Sequence, residues 1–528
     1  MLDGIKMAAR YAWGLNGFLR HTLTPAECRR MLEDHLMSRE RSFLSMVERG
    51  IYSNPKSPYL KLLRHAGVDY GDFAELVNRH GVEGSLERLY DQGIYVRLDE
   101  FKRRTPLRRP GLEFETGPHD FDNPILSKHY SSRTSGSRGN VTRVIMDLDL
   151  LEHDAACNHF MLEGFGVGDR PIGIWREVPP VTTGMNVLLR LTKLGKKVEK
   201  WFSTSRVWRG PESLQFLFFT YYSIWASRVI SRPLPAPEYA PLEDALKVAR
   251  WLALKKAEGN PAFFDTQASS GVKVCIAAVE GGLDISGTIF CLGGEPYTKA
   301  KAQVMSDAGC RVINRYSMAE LGNIGMACPA PSDVDDIHLL TDKIAVIQRQ
   351  KRLGEGDLSV GALVYTTVLP SCPKLMLNVE SDDYGSLEVR SCGCQFGGLG
   401  FTTHLSGIRS YEKLTSGGVT FLGTELLRLI EEVLPGRFGG HPTDYQLVEV
   451  EEGGLPRVNI VVSPGVGNID EDGLVSTVFQ ALRPYPGGDV MSERWQQGRM
   501  LRVVRREPYT TATAKILPLH ILKGGSGG

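Results

Sequence analysis

The segment Ser131-Ser-Arg-Thr-Ser-Gly-Ser-Arg-Gly-Asn140 concentrates hydroxyls, glycines and arginine, and Arg143 follows it closely. Gly136 and Gly139 allow backbone amides to approach an anion. The hydroxyls of Thr134, Ser135 and Ser137 can donate to phosphate oxygens, and Arg138 and Arg143 add charge-assisted donors. A polar hairpin turn has the same composition. The lysine of a G-x-x-x-x-G-K-[ST] loop is missing, which argues against a P-loop nucleotidase.

A second constellation carries soft donors. Cys392-Gly-Cys394 is a C-x-C pair on a glycine turn, and Cys328 stands ten positions before His338. Three thiolates and one imidazole complete a tetrahedral Zn²⁺ site with no open position, which is a structural site. His404, ten positions after Cys394, is the substitute ligand. The spacing is not that of a standard finger. A buried cysteine, a core histidine and a chance C-x-C account equally for these residues.

These groups must be positioned by a chain of 528 residues, enough for two to four domain-sized units. The 42% hydrophobic and 23% charged residues are those of an ordinary globular protein. A formal charge of +1 gives no global attraction to nucleic acid. Asp3, Lys6 and Arg10 break up the N-terminus, so no secretory leader is expected, and the nine cysteines read as cytoplasmic thiols or metal ligands. The most apolar stretch, residues 214–230, overlaps an uncharged run, residues 213–227, of only 15 residues. That is short of the roughly 20 needed to span a bilayer, so a buried aromatic helix is expected, with an interfacial or lipid-facing surface as the alternative.

Residues 1–110 read as mostly helical, with Thr24, Pro25 and Glu27 forming a capping box. The basic cluster of Lys102, Arg103, Arg104, Arg108 and Arg109 closes this part as a solvated face or a phosphate contact. From residue 111 to 408, strand patterns (142–146, 262–265, 288–292, 311–314, 361–367) alternate with helical ones (148–163, 241–258, 270–280, 298–308). That alternation predicts an α/β domain with largely parallel sheets. Residues 409–523 read as a small α+β domain, with helices at 423–434 and 473–482 and strands at 445–451, 457–462 and 500–505. Residues 524–528 look like a flexible tail or expression remnant.

In order along the chain, these segments resemble the motifs of the adenylate-forming superfamily. Thr134-Ser135-Gly136-Ser137-Arg138-Gly139 is similar to its phosphate loop [ST]-[ST]-G-[ST]-[ST]-G, with Arg138 in place of a hydroxyl residue. Gly293-Gly294-Glu295 resembles the adenosine-contacting turn. Tyr316-Ser-Met-Ala-Glu320 resembles Y-G-x-T-E, with Ser317 and Ala319 as departures. Asp383 stands in a segment similar to T-G-D-x-G, and Arg409-Ser-Tyr-Glu412 is similar to the R-x-D-D hinge. Lys515 ends a segment similar to P-R-T-x-x-G-K, with Ala514 in place of glycine. The C…H and C-x-C elements, and the segment from Ser57 to Asp69, resemble phenylacetate–CoA ligases and their capsule-biosynthesis relatives.

The resemblance implies a fold of a large N-terminal α/β domain, 1–408, and a mobile C-terminal α+β domain, 409–523. It implies ATP-dependent activation of an aryl or acyl carboxylic acid to an acyl-adenylate, then thioester formation with coenzyme A. The loop from Thr134 to Gly139 would bind the β- and γ-phosphates, and Glu320 would bind Mg²⁺. Gly293, Gly294, Glu295, Tyr316 and Asp383 would hold adenosine, and Arg409 the ribose or phosphate. Lys515 would be the catalytic lysine. Cys328, His338, Cys392 and Cys394 would hold Zn²⁺. The aromatic residues near 208–225 would line an acyl pocket or fill the core. A homodimer fits the subfamily. Transfer to a carrier-protein thiol, an amine or another nucleophile stays open. So does a non-catalytic protein on a degenerate adenylating fold, to which Arg138, Ser317, Ala319 and Ala514 point.

Overall fold

The computed structural model describes residues 2–133, 143–205, 213–352, 359–410, 415–416, 419–420, 423–452, 455–482, 501–511 and 513–522. Helices dominate through residue 101: Leu2–Arg20, Pro25–Met37, Arg39–Val47, Pro58–His65, Tyr70–Asp91 and Leu98–Phe101. The capping box is present. The Thr24 hydroxyl accepts from the Glu27 amide at 3.2 Å, and the Glu27 carboxylate accepts from the Thr24 amide at 2.8 Å. Pro25 has no N–H to satisfy, so the capping box meets two of the three orphan donors at that helix start.

A twelve-stranded sheet forms the centre. One half is parallel, in the spatial order Pro237–Tyr239, Val198–Ser203, Ile172–Trp175, Phe263–Gln267, Ile289–Gly293, Arg311–Met318. Helices such as Ala268–Glu280 and Lys299–Asp307 supply the crossovers. Phe263–Gln267 and Ile289–Gly293 are buried along their whole length, as strands covered on both faces must be. The other half is antiparallel: Gly322–Ala327, Ile337–Leu339, Thr403–Ser410, Val379–Val389, Ser359–Thr367, Ile344–Arg352. The expectation of largely parallel pairing therefore holds for one half only. Beyond Arg311 most connections are too short for a parallel crossover, which needs about a dozen residues or more, so the chain turns back on itself.

After Ser410 a four-stranded sheet runs Leu501–Arg505, Leu455–Val462, Tyr445–Glu452, Leu519–Leu522. It has its own core, including Leu426, Leu447, Ile460, Leu474 and Val478. The helical pattern expected at 423–434 is broken into Gly423–Arg428, a π-turn at Leu429–Val433 and Leu434–Phe438. The strand Leu519–Leu522, unforeseen in the sequence, pairs parallel with Tyr445–Glu452 and anchors the end of the chain.

The apolar stretch forms helix Ser213–Val229. Phe216, Phe219 and Ile224 are buried, but Phe218, Tyr221 and Trp225 face outward, so the expected buried helix is buried on one side only. These outward rings do not line an interior pocket. Among the described residues, no helix is long and apolar enough to cross a membrane.

Candidate active site

The parallel strands end together. Gln267, Gly293 and Arg315 sit in register across three neighbouring strands, where their parallel pairing ends on the carboxyl side. Open α/β sheets bind ligands at this edge. Beneath it lies a buried triad. Arg176 Nε and Arg315 Nη2 approach the two oxygens of Asp265 at 2.7 and 3.0 Å. Burial alone would raise the Asp265 carboxyl, but the two guanidiniums outweigh it and hold it below the ordinary range. The triad is a fixed charged floor under the Gly293 turn.

Lys515 reaches this edge from the far end of the chain. Gly294 adopts φ +86°, and a Cβ there would lie 3.2 Å from Lys515 Cε and 3.3 Å from its Nζ. The glycine is thus required twice, for its left-handed backbone and for the lysine's approach. Ile516 is buried in the core beside the large sheet, and the Gln267 amide donates to the Thr513 carbonyl. The same Gln267 nitrogen donates to Glu177 at 2.6 Å, and the Thr183 hydroxyl donates to Glu177 at 2.7 Å. Burial pushes the Glu177 carboxyl up, while Thr183, Arg176 and Lys515 draw it back. Ala514 takes φ +54°, the conformation natural to the glycine of the resembled motif. A further tie holds the two sheets together: Lys301 Nζ lies 2.8 Å from Glu431, both buried.

Glu295 turns back to the start of helix Ala268–Glu280, where it accepts from the Ser269 amide at 2.8 Å and from its hydroxyl at 2.5 Å. Tyr316 lies on the next strand. Its hydroxyl donates to Asp383 and lies 3.0 Å from the Tyr365 hydroxyl. Burial and the Asp383 carboxylate push the Tyr316 phenol well up, so it stays a donor. Two resembled positions, Tyr316 and Asp383, are thus brought into direct contact. Glu320 is ion-paired with Lys102 at 2.6 Å. Burial would raise its carboxyl, but the Lys102 ammonium holds it low. Glu320 is therefore an ionised, cation-binding carboxylate, the state a Mg²⁺ ligand needs.

Arg409 is held elsewhere. Its guanidinium meets Asp335 at 2.8 Å and donates to the Ile408 carbonyl at 2.7 Å. Thr134, Ser135, Gly136, Ser137, Arg138 and Gly139 lie outside the described residues, as do Tyr411 and Glu412. The strands flanking the loop, Tyr130–Arg133 and Arg143–Met146, form an antiparallel hairpin closed by the pair Arg133 and Arg143.

The soft donors come together in the fold. Cys392 and Cys394 place Sγ 3.6 and 3.0 Å from His338 Nε2. The donor atoms of Cys328, His338, Cys392 and His404 all lie within 4.8 Å of one another. His338 Nδ1 donates to the Phe401 carbonyl at 2.7 Å, and His404 Nδ1 donates to Asp336 at 2.9 Å. Both rings therefore turn an Nε2 lone pair into the cluster, the outer-shell pattern that orients zinc-binding histidines. Burial pushes the His338 ring down to about 4, so it is neutral and able to ligate. The buried Nε2 of His404 has no hydrogen-bond partner. Three thiols and two imidazoles thus compete for four tetrahedral positions, and they fit zinc.

Sequence reasoning missed Gln267, Glu177 and the triad Arg176, Asp265 and Arg315. Each is a polar residue within or just after an apolar strand, and that interruption is the one signal that could have exposed them.

No family model and no curated protein sequence matches the chain. Its fold is similar to that of a 2-hydroxyisobutyryl-CoA ligase crystallised in the postadenylation state. In the complex with 2-HIB-AMP the TM-score is 0.54 at 14% identity, over 95% of this chain and 90% of that chain. In the complex with R3-HIB-AMP the TM-score is 0.53 at 14% identity, with the same shares covered. The chain thus shares the fold of that ligase over nearly its whole length.

Proposed function

We propose that this chain uses ATP to activate a carboxylic acid as an acyl-adenylate, then passes the acyl group to the thiol of coenzyme A. One observation carries the reading: Lys515 lies over Gly294, at the strand edge where the motif residues Gly293 and Glu295 converge. The shared fold supports the same reading. A carboxylate is a poor electrophile, because direct attack must expel oxide. Attack of its oxygen on the α-phosphorus of ATP expels pyrophosphate instead, and charge builds on the α-phosphate and the leaving group. Positioning and electrostatics must then do most of the catalytic work.

The Lys515 ammonium would bridge the carboxylate and the α-phosphate as a point charge. Gly293, Gly294 and Tyr316 would form the adenosine walls, with Glu295 pinning the turn to Ser269. Ribose hydroxyls would compete with the Tyr316 phenol for Asp383. Residues 134–139 would take the β- and γ-phosphates, and Arg409 would meet ribose or phosphate after leaving Asp335. Glu320 would hold Mg²⁺, which when bound neutralises the phosphates and the departing pyrophosphate. Residues 409–523 act as a mobile unit that turns near Glu412 for thioester formation. That turn withdraws Lys515 and separates Thr513 from Gln267 and Glu431 from Lys301.

The thiol and imidazole cluster favours the phenylacetate–CoA ligase-like subtype, with a structural zinc held by Cys328, His338, Cys392 and either Cys394 or His404. A pyrophosphate-release screen over aryl and fatty acids, with AMP measured with and without coenzyme A, tests the function. AMP formation that depends on both one acid and coenzyme A is expected. No release with any acid, together with no ATP binding, overturns the reading in favour of a non-catalytic protein.

A further inference from the structure

Helices Leu2–Arg20 and Ser213–Val229 lie side by side. Tyr11 joins them, with its ring 4.7 Å from Phe219 and its hydroxyl 2.7 Å from Ser223 Oγ. The Tyr222 hydroxyl donates across to the Ala12 carbonyl at 3.2 Å. The inward faces are thus satisfied, yet the outward faces are strongly apolar. Trp13 is 86% exposed, Phe218 42%, Tyr221 52%, Trp225 59% and Val229 64%. Positions 218, 221, 225 and 229 follow helical spacing, so they form one stripe. The rings touch through Tyr222, 5.1 Å from Phe218 and 5.8 Å from Trp225.

Cations frame these rings. Lys6, Arg10 and Arg20 are exposed on the first helix and Arg228 on the second. No aspartate or glutamate stands between residues 6 and 20 or between 213 and 232. A hollow of about 570 Å³ opens beside Trp13, lined in part by Arg10, Ser127 and His129. A two-fold contact with a second copy would set these like charges against one another. Aromatic rings with lysine and arginine, and no acid, match the interfacial region of a bilayer bearing anionic headgroups.

We propose that the face shared by these two helices docks the protein on an anionic lipid bilayer. Trp13, Phe218, Tyr221 and Trp225 enter the headgroup boundary, while Lys6, Arg10, Arg20 and Arg228 meet lipid phosphates. The protein lies on the membrane and does not span it.

Flotation of the full chain with phosphatidylcholine vesicles, with and without about 30% phosphatidylglycerol, tests this. The chain is expected to float with the anionic vesicles, less so as salt rises. Brominated lipid should quench its tryptophan fluorescence. The pair Trp13→Ser and Trp225→Ser should lose binding at least about tenfold. Lys6→Ala and Arg228→Ala should each lose about fivefold. Phe218→Ser with Tyr221→Ser supplies a second apolar variant, and matched thermal melts establish that each variant is folded. The proposal is overturned by failure to float, by equal flotation on neutral vesicles, or by folded variants that bind as well as the parent. It is equally overturned if the native chain is a dimer that these substitutions dissociate.

Discussion

On the proposed mechanism, Lys515→Ala should separate the two half-reactions. The lysine is half-buried, and its ammonium sits 3.3 Å from where a Gly294 Cβ would stand. For such a site an effective dielectric of about 20 applies, and unit charges about 4 Å apart interact by about 4 kcal/mol. If the ammonium meets the charge that develops on the α-phosphate, its loss slows adenylation by about a thousandfold. Thioester formation from supplied acyl-adenylate should survive within about threefold, because on the proposed mechanism Lys515 would be withdrawn in that step. Pyrophosphate release under saturating ATP and acid reads the first rate, and coenzyme A-dependent AMP release from the adenylate reads the second. Equal loss in both would refute the role given to Lys515. So would a fall in adenylation of less than about tenfold.

Metal analysis of protein purified without chelator should give about one zinc per chain, and Cys392→Ser should lose it and lower the melting temperature; well under one equivalent removes the zinc assignment. Ala514→Gly relieves the left-handed strain at φ +54° and should raise unfolding stability by roughly 0.5–1 kcal/mol in denaturant melts. A loss of stability would contradict that backbone. His153 Nε2 meets Asp342 at 2.6 Å, both buried. Burial would lower the His153 ring, but the Asp342 carboxylate and its neighbours raise it above its ordinary 6.5. A raised histidine stabilises the fold fully below that value and progressively less as pH climbs through its folded value. The melting temperature should therefore fall as pH rises above about 6.5, and Asp342→Asn should flatten that slope; an unchanged slope in the variant would assign it to other groups.

The chemistry-bearing motifs were more legible than the frame that holds them. Gly294, Tyr316, Asp383 and Lys515 were singled out by the resemblance of their segments to motifs of the adenylate-forming superfamily. The structure then brings Lys515 to Gly294 and Tyr316 to Asp383. Gln267 and Glu177 were not readable, because they are 90 residues apart and meet only through sheet register. Lys102 looked like one of several surface cations, and its partner Glu320 lies 218 positions away. The antiparallel half of the sheet was hidden by strands such as Val379–Val389, whose polar residues break the apolar pattern. The helix Ser213–Val229 is apolar all round, so no periodicity could tell its inward rings from its outward ones.

The soft-donor cluster joins parts of the chain far apart in sequence. Cys328 and His404 are 404 − 328 = 76 positions apart, and the segment between them contains the strands Ile344–Arg352, Ser359–Thr367 and Val379–Val389. An ion held there would close that loop in the unfolded chain as well as the folded one. By analogy with a covalent cross-link, closing so long a loop is worth about 4 kcal/mol of chain entropy. The metal would then act on how much protein exists more than on how fast each molecule turns over. A cell short of the ion would carry fewer folded copies.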